Sequence, residues 1–176
     1  MASTPIMFPP NDDFSEVLDD ICKSKGIEQN FKHTLTSIDK DNRVASFMTA
    51  DGATVQHDYD FMHIVPPQSA PEFVASSDLA HETGWLDVDI STLQHKRFSN
   101  VFGLGDVCNL PTSKTAAAIF SQTPVLVNNI LKEMGEAERQ ATYEGYAACP
   151  VFVGDQKLLL CEFKYGRVTN TTFKAD

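Results

Sequence analysis

The run from Asn100 to Ala118, NVFGLGDVCNLPTSKTAAA, constrains the fold most, because it makes an extended segment turn on glycines and hand over to a helix. Val101, Phe102 and Leu104 read as a short buried strand, and Gly103 and Gly105 let a backbone turn approach a ligand closely. Asp106 ends that strand with a carboxylate suited to accepting hydrogen bonds from sugar or polyol hydroxyls. Pro111, Thr112 and Ser113 then lead into an alanine-rich helix whose first turn is expected to hold Lys114 and Thr115. Its free N–H groups and positive dipole end favour an electron-rich, anion-forming group. The same residues also suit a strand, a Gly-Asp turn and a capped helix without any ligand, and a short motif does not separate the two readings.

Charge narrows the field. The 176 residues carry 14 basic and 24 acidic side chains, a net charge of −10. This argues against nucleic acid as a partner, since counterion release needs clustered lysine and arginine. No apolar run approaches the roughly 20 residues that span a bilayer. The opening MASTPIMFPP has neither a basic n-region nor the arginine-rich character of a transit peptide, so no targeting signal is expected within this chain. Cys22, Cys108, Cys149 and Cys161 form no C-x-x-C pair and have no histidine at metal-ligand spacing. No metal site is expected, and the cysteines read as reduced.

Before the glycine run, Phe14, Val17, Leu18, Ile21 and Cys22 recur on one helical face that Gly26 stops, with Pro9, Pro10 and Asn11 leading in. Ile27 to Ile38, Val44 to Met48 and a segment after Asp51-Gly52 predict a β-meander. Asp39 and Asp41 suggest a calcium loop only superficially, because Val44 stands where the bend needs glycine. Tyr59 to Val65 is a further strand candidate, containing His63 and closed by Pro66-Pro67, with a crossover following to Pro71. After the lysine-led helix, Pro124 is expected to begin a second helix capped by Thr123, because an interior proline costs about 3 kcal/mol. Cys149 precedes the apolar start Val151 to Val153 of a hairpin running to Tyr165, in which Cys161 is expected to be buried. Taken by itself, Cys149 reads as an inert small hydrophobe.

The glycine run is similar to the flavin-contacting C-terminal motif of the two-dinucleotide-binding-domain flavoproteins. GWLDVD at Gly84 to Asp89, TLQH at Thr92 to His95, YEGYAACP at Tyr143 to Pro150 and CEFKY at Cys161 to Tyr165 follow the same order in the sulfide:quinone oxidoreductases of the mitochondrial type, which the chain resembles over nearly its whole length. The resemblance implies an α/β chain with a partial FAD/NAD(P)-binding, Rossmann-like fold. Residues 1–75 would be the second half of the smaller nucleotide-binding-like domain, and residues 76–176 the C-terminal part of the FAD domain. FAD is the implied cofactor, met by Leu104, Gly105, Asp106 and Lys114, with the helix N-terminus aimed at the flavin's pyrimidine edge.

Cys149 aligns with the redox cysteine that carries sulfane sulfur as a persulfide, opposite a partner cysteine expected upstream of this chain. The implied substrates are hydrogen sulfide, a ubiquinone-type acceptor and a small thiol or sulfite as sulfur acceptor, at the mitochondrial inner membrane. No GxGxxG loop follows a strand here, so the pyrophosphate cradle is expected upstream. The membrane-docking region of the family is expected beyond the TTF of Thr171 to Phe173. A noncatalytic product acting by protein interaction, or an NADH-oxidising reductase of the same superfamily, remain the alternatives.

Overall fold

The structure is a computed structural model that describes residues 12–172. The opening MASTPIMFPP, the Pro9 to Asn11 lead-in and Phe173 of the TTF triplet lie outside the described residues. Two compact units divide after Pro67, Met1–Pro67 and Gln68–Asp176.

In the first unit, α1 (Asp12–Ser24) buries Leu18 and Ser15 on one face. Gly26 ends it at φ 66°, and the amide of Ile27 closes back on Cys22 O at 2.9 Å. Strands β1 (Thr34–Asp39), β2 (Val44–Met48) and β3 (Thr54–Asp58) form the antiparallel meander that the alternating pattern predicts, in the order β1-β2-β3. Asp39 serves the first turn. Its carboxylate accepts from the amides of Asp41 and Asn42 at 3.1 and 3.0 Å and from Asn42 Nδ2 at 2.7 Å, the Asx geometry of a hairpin rather than a metal loop.

The strand expected from Tyr59 to Val65 does not form. After Tyr59 N bonds Arg43 O at 3.0 Å the chain leaves the sheet, and Phe61 and Val65 are 87% and 82% exposed. An apolar run becomes a strand only where a neighbour supplies a ladder, and Pro66 and Pro67 remove two donors from this one. His63 is therefore exposed and outside any sheet.

The second unit packs Val74, Leu86, Val88 and Cys108 into a core, with Leu79, Val107 and Leu110 against it. A short helix α2 (Glu72–Ala75) contributes Val74. Segments 86–108 are joined by isolated bridges, Leu86 to Cys108, Val88 to His95 and Gln94 to Phe102, so the expected strand at Val101 to Leu104 is an extended stretch with a single bridge. His95 of the TLQH word is a buried brace. Its Nε2 faces Leu79 O at 3.0 Å, and Nδ1 accepts from the amides of Arg97 and Phe98 at 3.0 and 3.2 Å.

Helix α3 (Ala116–Glu133) runs unbroken through Pro124, correcting the expectation of two helices. Pro124 and Phe120, whose carbonyl loses its i+4 partner, both lie on the exposed side, where water meets that carbonyl without a break. Strands β4 (Ala147–Gly154) and β5 (Lys157–Phe163) pair antiparallel, and α3 packs against β4. Both regular sheets among the described residues are antiparallel. No described helix is long and apolar enough to cross a membrane.

Candidate active site

The N-terminus of α3 organises the second unit's chemistry. Thr115 is the N-cap, extended at φ −134° and ψ 155°, with its hydroxyl accepting from Ala118 N at 3.2 Å. The helix thus begins just beyond Thr115, and Lys114 precedes the first turn instead of lying in it. A threonine three residues before a free amide satisfies one orphan donor, which sets this start.

Facing the cap is the 3-10 turn Gly105–Val107. Gly105 has φ 72°, and a Cβ there would stand 3.1 Å from the Ile119 side chain, so the turn both needs glycine and seats against α3. Its amide donates to Gln122 Oε1 at 2.7 Å, and Gln122 is buried. Between turn and helix lies a small cleft, lined among others by Gly105, Ser113, Lys114, Thr115 and Gln122.

Lys114 is held at the edge of this cleft. Its Nζ donates to the carbonyls of Asp106 at 2.5 Å and Cys108 at 3.0 Å and lies 4.0 Å from the centroid of the Trp85 ring. Burial lowers its pKa from the usual lysine value, while the nearby Asp106 and Cys108 oppose that shift. The contact between Lys114 and Asp106 therefore runs through the backbone of Asp106, whose side chain is exposed. Leu104 is half-buried and extended, φ −143° and ψ 165°, as it enters the turn.

Cys149, half-buried on β4, is not one of the residues lining this cleft; burial raises its pKa, and Ser113, which does line the cleft, opposes the rise. Directly across the hairpin is Cys161, fully buried as expected, its thiol pushed up to about 11 by burial and by Cys149. Cys108 is also buried and rises to about 12, with the Lys114 charge opposing. At neutral pH these three sulfurs are protonated thiols.

Of the residues singled out in the sequence, Lys114 and Gly105 line one cleft, the Asp106 carbonyl holds Lys114, and Leu104 and Cys149 are not among the lining residues. Three contributors were missed in the sequence: Gln122, Trp85 and Ser113. Gln122 had a signal, a polar residue on the helix face of Ala118 and Asn129, all three of which are buried. Asn129 repeats the pattern, donating to Thr92 O at 2.8 Å and Ala141 O at 3.0 Å and accepting from Ala141 N at 2.8 Å.

No family model matches the chain. A curated protein of Dictyostelium discoideum named sulfide:quinone oxidoreductase, mitochondrial, is 46% identical over 162 residues, covering 91% of this chain and 35% of that one. A chain in the cryo-EM structure of the Tetrahymena thermophila mitochondrial ATP synthase matches with a TM-score of 0.81 at 31% identity, over 96% of this chain and 40% of the other. The crystal structure of the Aquifex aeolicus sulfide:quinone oxidoreductase matches with a TM-score of 0.77 at 16% identity, over 95% and 46%, and shows the shared α/β fold. This chain spans about a third of the length of the curated relatives it matches. Over that third, the chain matches the mitochondrial sulfide:quinone oxidoreductases in sequence, along about nine-tenths of its own length.

Proposed function

We propose that this chain supplies the sulfur-carrying cysteine and one edge of the flavin site of a mitochondrial sulfide:quinone oxidoreductase, with hydrogen sulfide as substrate and a ubiquinone-type acceptor. The observation that carries this reading is the cleft where Gly105 and Lys114, the latter held over Trp85, face the start of α3, with Cys149 half-buried on β4, the strand against which α3 packs. In this reading residues 1–75 are half of the smaller Rossmann-like domain and residues 76–176 the end of the FAD domain.

In this reading the cleft meets one edge of a flavin ring rather than holding a whole dinucleotide. The backbone from Leu104 to Asp106, the first amides of α3 and the Lys114 ammonium are the groups that hold it. FAD, when bound, supplies the two-electron acceptor. Negative charge gathering at that edge is met by the helix dipole and by a cation already desolvated against Trp85.

The raised pKa of Cys149 favours the role of a sulfur that is attacked over that of a standing thiolate. Sulfide attacking a disulfide leaves a persulfide on Cys149 and a thiolate on the partner cysteine, and a small thiol or sulfite then removes the outer sulfur. Flavin content tests the cleft. The isolated chain is expected to purify colourless, and a chimera joining it to the preceding part of the Dictyostelium relative is expected to purify yellow. Lys114→Met in that chimera should lower flavin content several-fold. A folded but colourless chimera overturns the flavin reading.

Assembly with other chains is a second reading, favoured by Phe120 and Phe152, 80% and 84% exposed. The similarity to a chain within an ATP synthase assembly supports it. Here the second unit acts by contact, and its apolar surface is what the partner covers.

A further inference from the structure

We propose that Cys161 is the resolving thiol for Cys149, displacing the sulfur species that Cys149 carries and closing a cross-strand disulfide. The register pairs the two directly, between Ala147 opposite Phe163 and Val151 opposite Leu159. Opposed residues of an antiparallel pair project from the same face with Cα atoms about 4.5–5.5 Å apart. Disulfides span Cα separations of about 4.4–6.8 Å, so the bridge needs no rearrangement of the hairpin.

The two sulfurs differ in access. Cys149 is half-buried, whereas Cys161 is 0% exposed. A small disulfide or sulfur donor from solvent meets Cys149 first, and Cys161 is reached through its cross-strand neighbour. This is the asymmetry of a receiving thiol and a resolving thiol. Burial makes Cys161 a weak acid, which slows attack on a free reagent, but a fixed neighbour reacts at high effective concentration.

The step conserves electrons. Starting from Cys149 Sγ–S–R, the Cys161 sulfur attacks Cys149 Sγ, the Sγ–S bond to the adduct sulfur breaks, the Cys149–Cys161 disulfide forms, and RS⁻ leaves as RSH with the proton that Cys161 gives up. Where R is hydrogen, the product released is hydrogen sulfide. The adduct itself forms by exchange with a low-molecular-weight disulfide, which is the oxidant. This proposal deepens the reading of Cys149 as sulfur carrier, yet it needs neither flavin nor quinone.

The test uses the full 176-residue chain carrying Cys22→Ser, with glutathione disulfide as the probe. The expected result is two glutathiones released per chain, none retained, and a tryptic linkage between the peptides of Cys149 and Cys161, which Lys157 separates. Cys161→Ala should release one and retain one, on Cys149. The linkage is read in the parent chain, so the result stands even if that variant does not fold. Glutathione retained on Cys149 of the parent, or no uptake and no linkage, overturns the proposal. A sulfide-responsive chimera alongside either negative result removes only the resolving role, and a cross-strand disulfide alongside an inert chimera removes only the flavoprotein reading.

Discussion

Gln122 fixes the Gly105 turn through one buried hydrogen bond, so replacing it by leucine at similar volume leaves the Gly105 amide without a partner. Gln122→Leu is expected to cost about 1–3 kcal/mol in urea denaturation, and an unchanged midpoint contradicts the role given to this bond. Glu162 carries the clearest acid response. Burial raises its pKa, but hydrogen bonds from the Thr172 hydroxyl and amide and from the Tyr146 hydroxyl outweigh it and hold the carboxyl below 4.5. The unfolded chain then takes up the proton first as the pH falls. The contribution is complete above about 4.5 and is lost through the lower folded value. Stability measured against pH should show the gap between the parent and Glu162→Gln narrowing below pH 4.5; a gap constant with pH counts against it. Lys114 was legible in the sequence because a cation at a helix start carries chemistry by type, whereas Cys149, by itself an inert small hydrophobe, was singled out by the family resemblance. Gln122 had only the signal of its helix face, and Ser113 and Trp85 had none, because each acts only when the chain has folded.

At the scale of elements, α3 tests how far a proline is tolerated. Its ring at position 124 and the unpaired carbonyl of Phe120 both lie on the exposed face of an unbroken helix. Pro124→Ala is therefore expected to raise stability by about 1–3 kcal/mol, the helix-interior penalty of about 3 kcal/mol less what proline contributes by restricting the unfolded chain. A loss of stability in denaturant melts contradicts this and shows that the ring itself packs. Helix α1 and the meander were legible because periods of 3.6 and 2 are properties of the local sequence. The segment from Tyr59 to Val65 carried an equally good apolar pattern and formed no strand, since pairing depends on a neighbour that local sequence does not specify. The same holds for Val101 to Leu104, where one bridge replaces a ladder.

For the molecule as a whole, the ordered series of short words was more informative than any one of them. GWLDVD, TLQH and the Tyr143 to Tyr146 part of YEGYAACP carry structural contacts: Asp87 pairs with Lys96 at 2.7 Å, His95 braces a turn, and Thr112 Oγ1 donates to Gly145 O at 2.8 Å. They specify the scaffold around β4, and a scaffold is retained in order along a chain even where no single motif is diagnostic. In the function proposed above, Cys149 carries sulfur beside a flavin edge. The most direct measurement of this is anaerobic sulfide addition to the flavin-bearing chimera, reading visible absorbance together with the mass of the Cys149 peptide. Rapid bleaching with one added sulfur on Cys149 is expected, and loss of both in Cys149→Ser. Equal bleaching in Cys149→Ser, or bleaching with Cys149 unmodified, contradicts it.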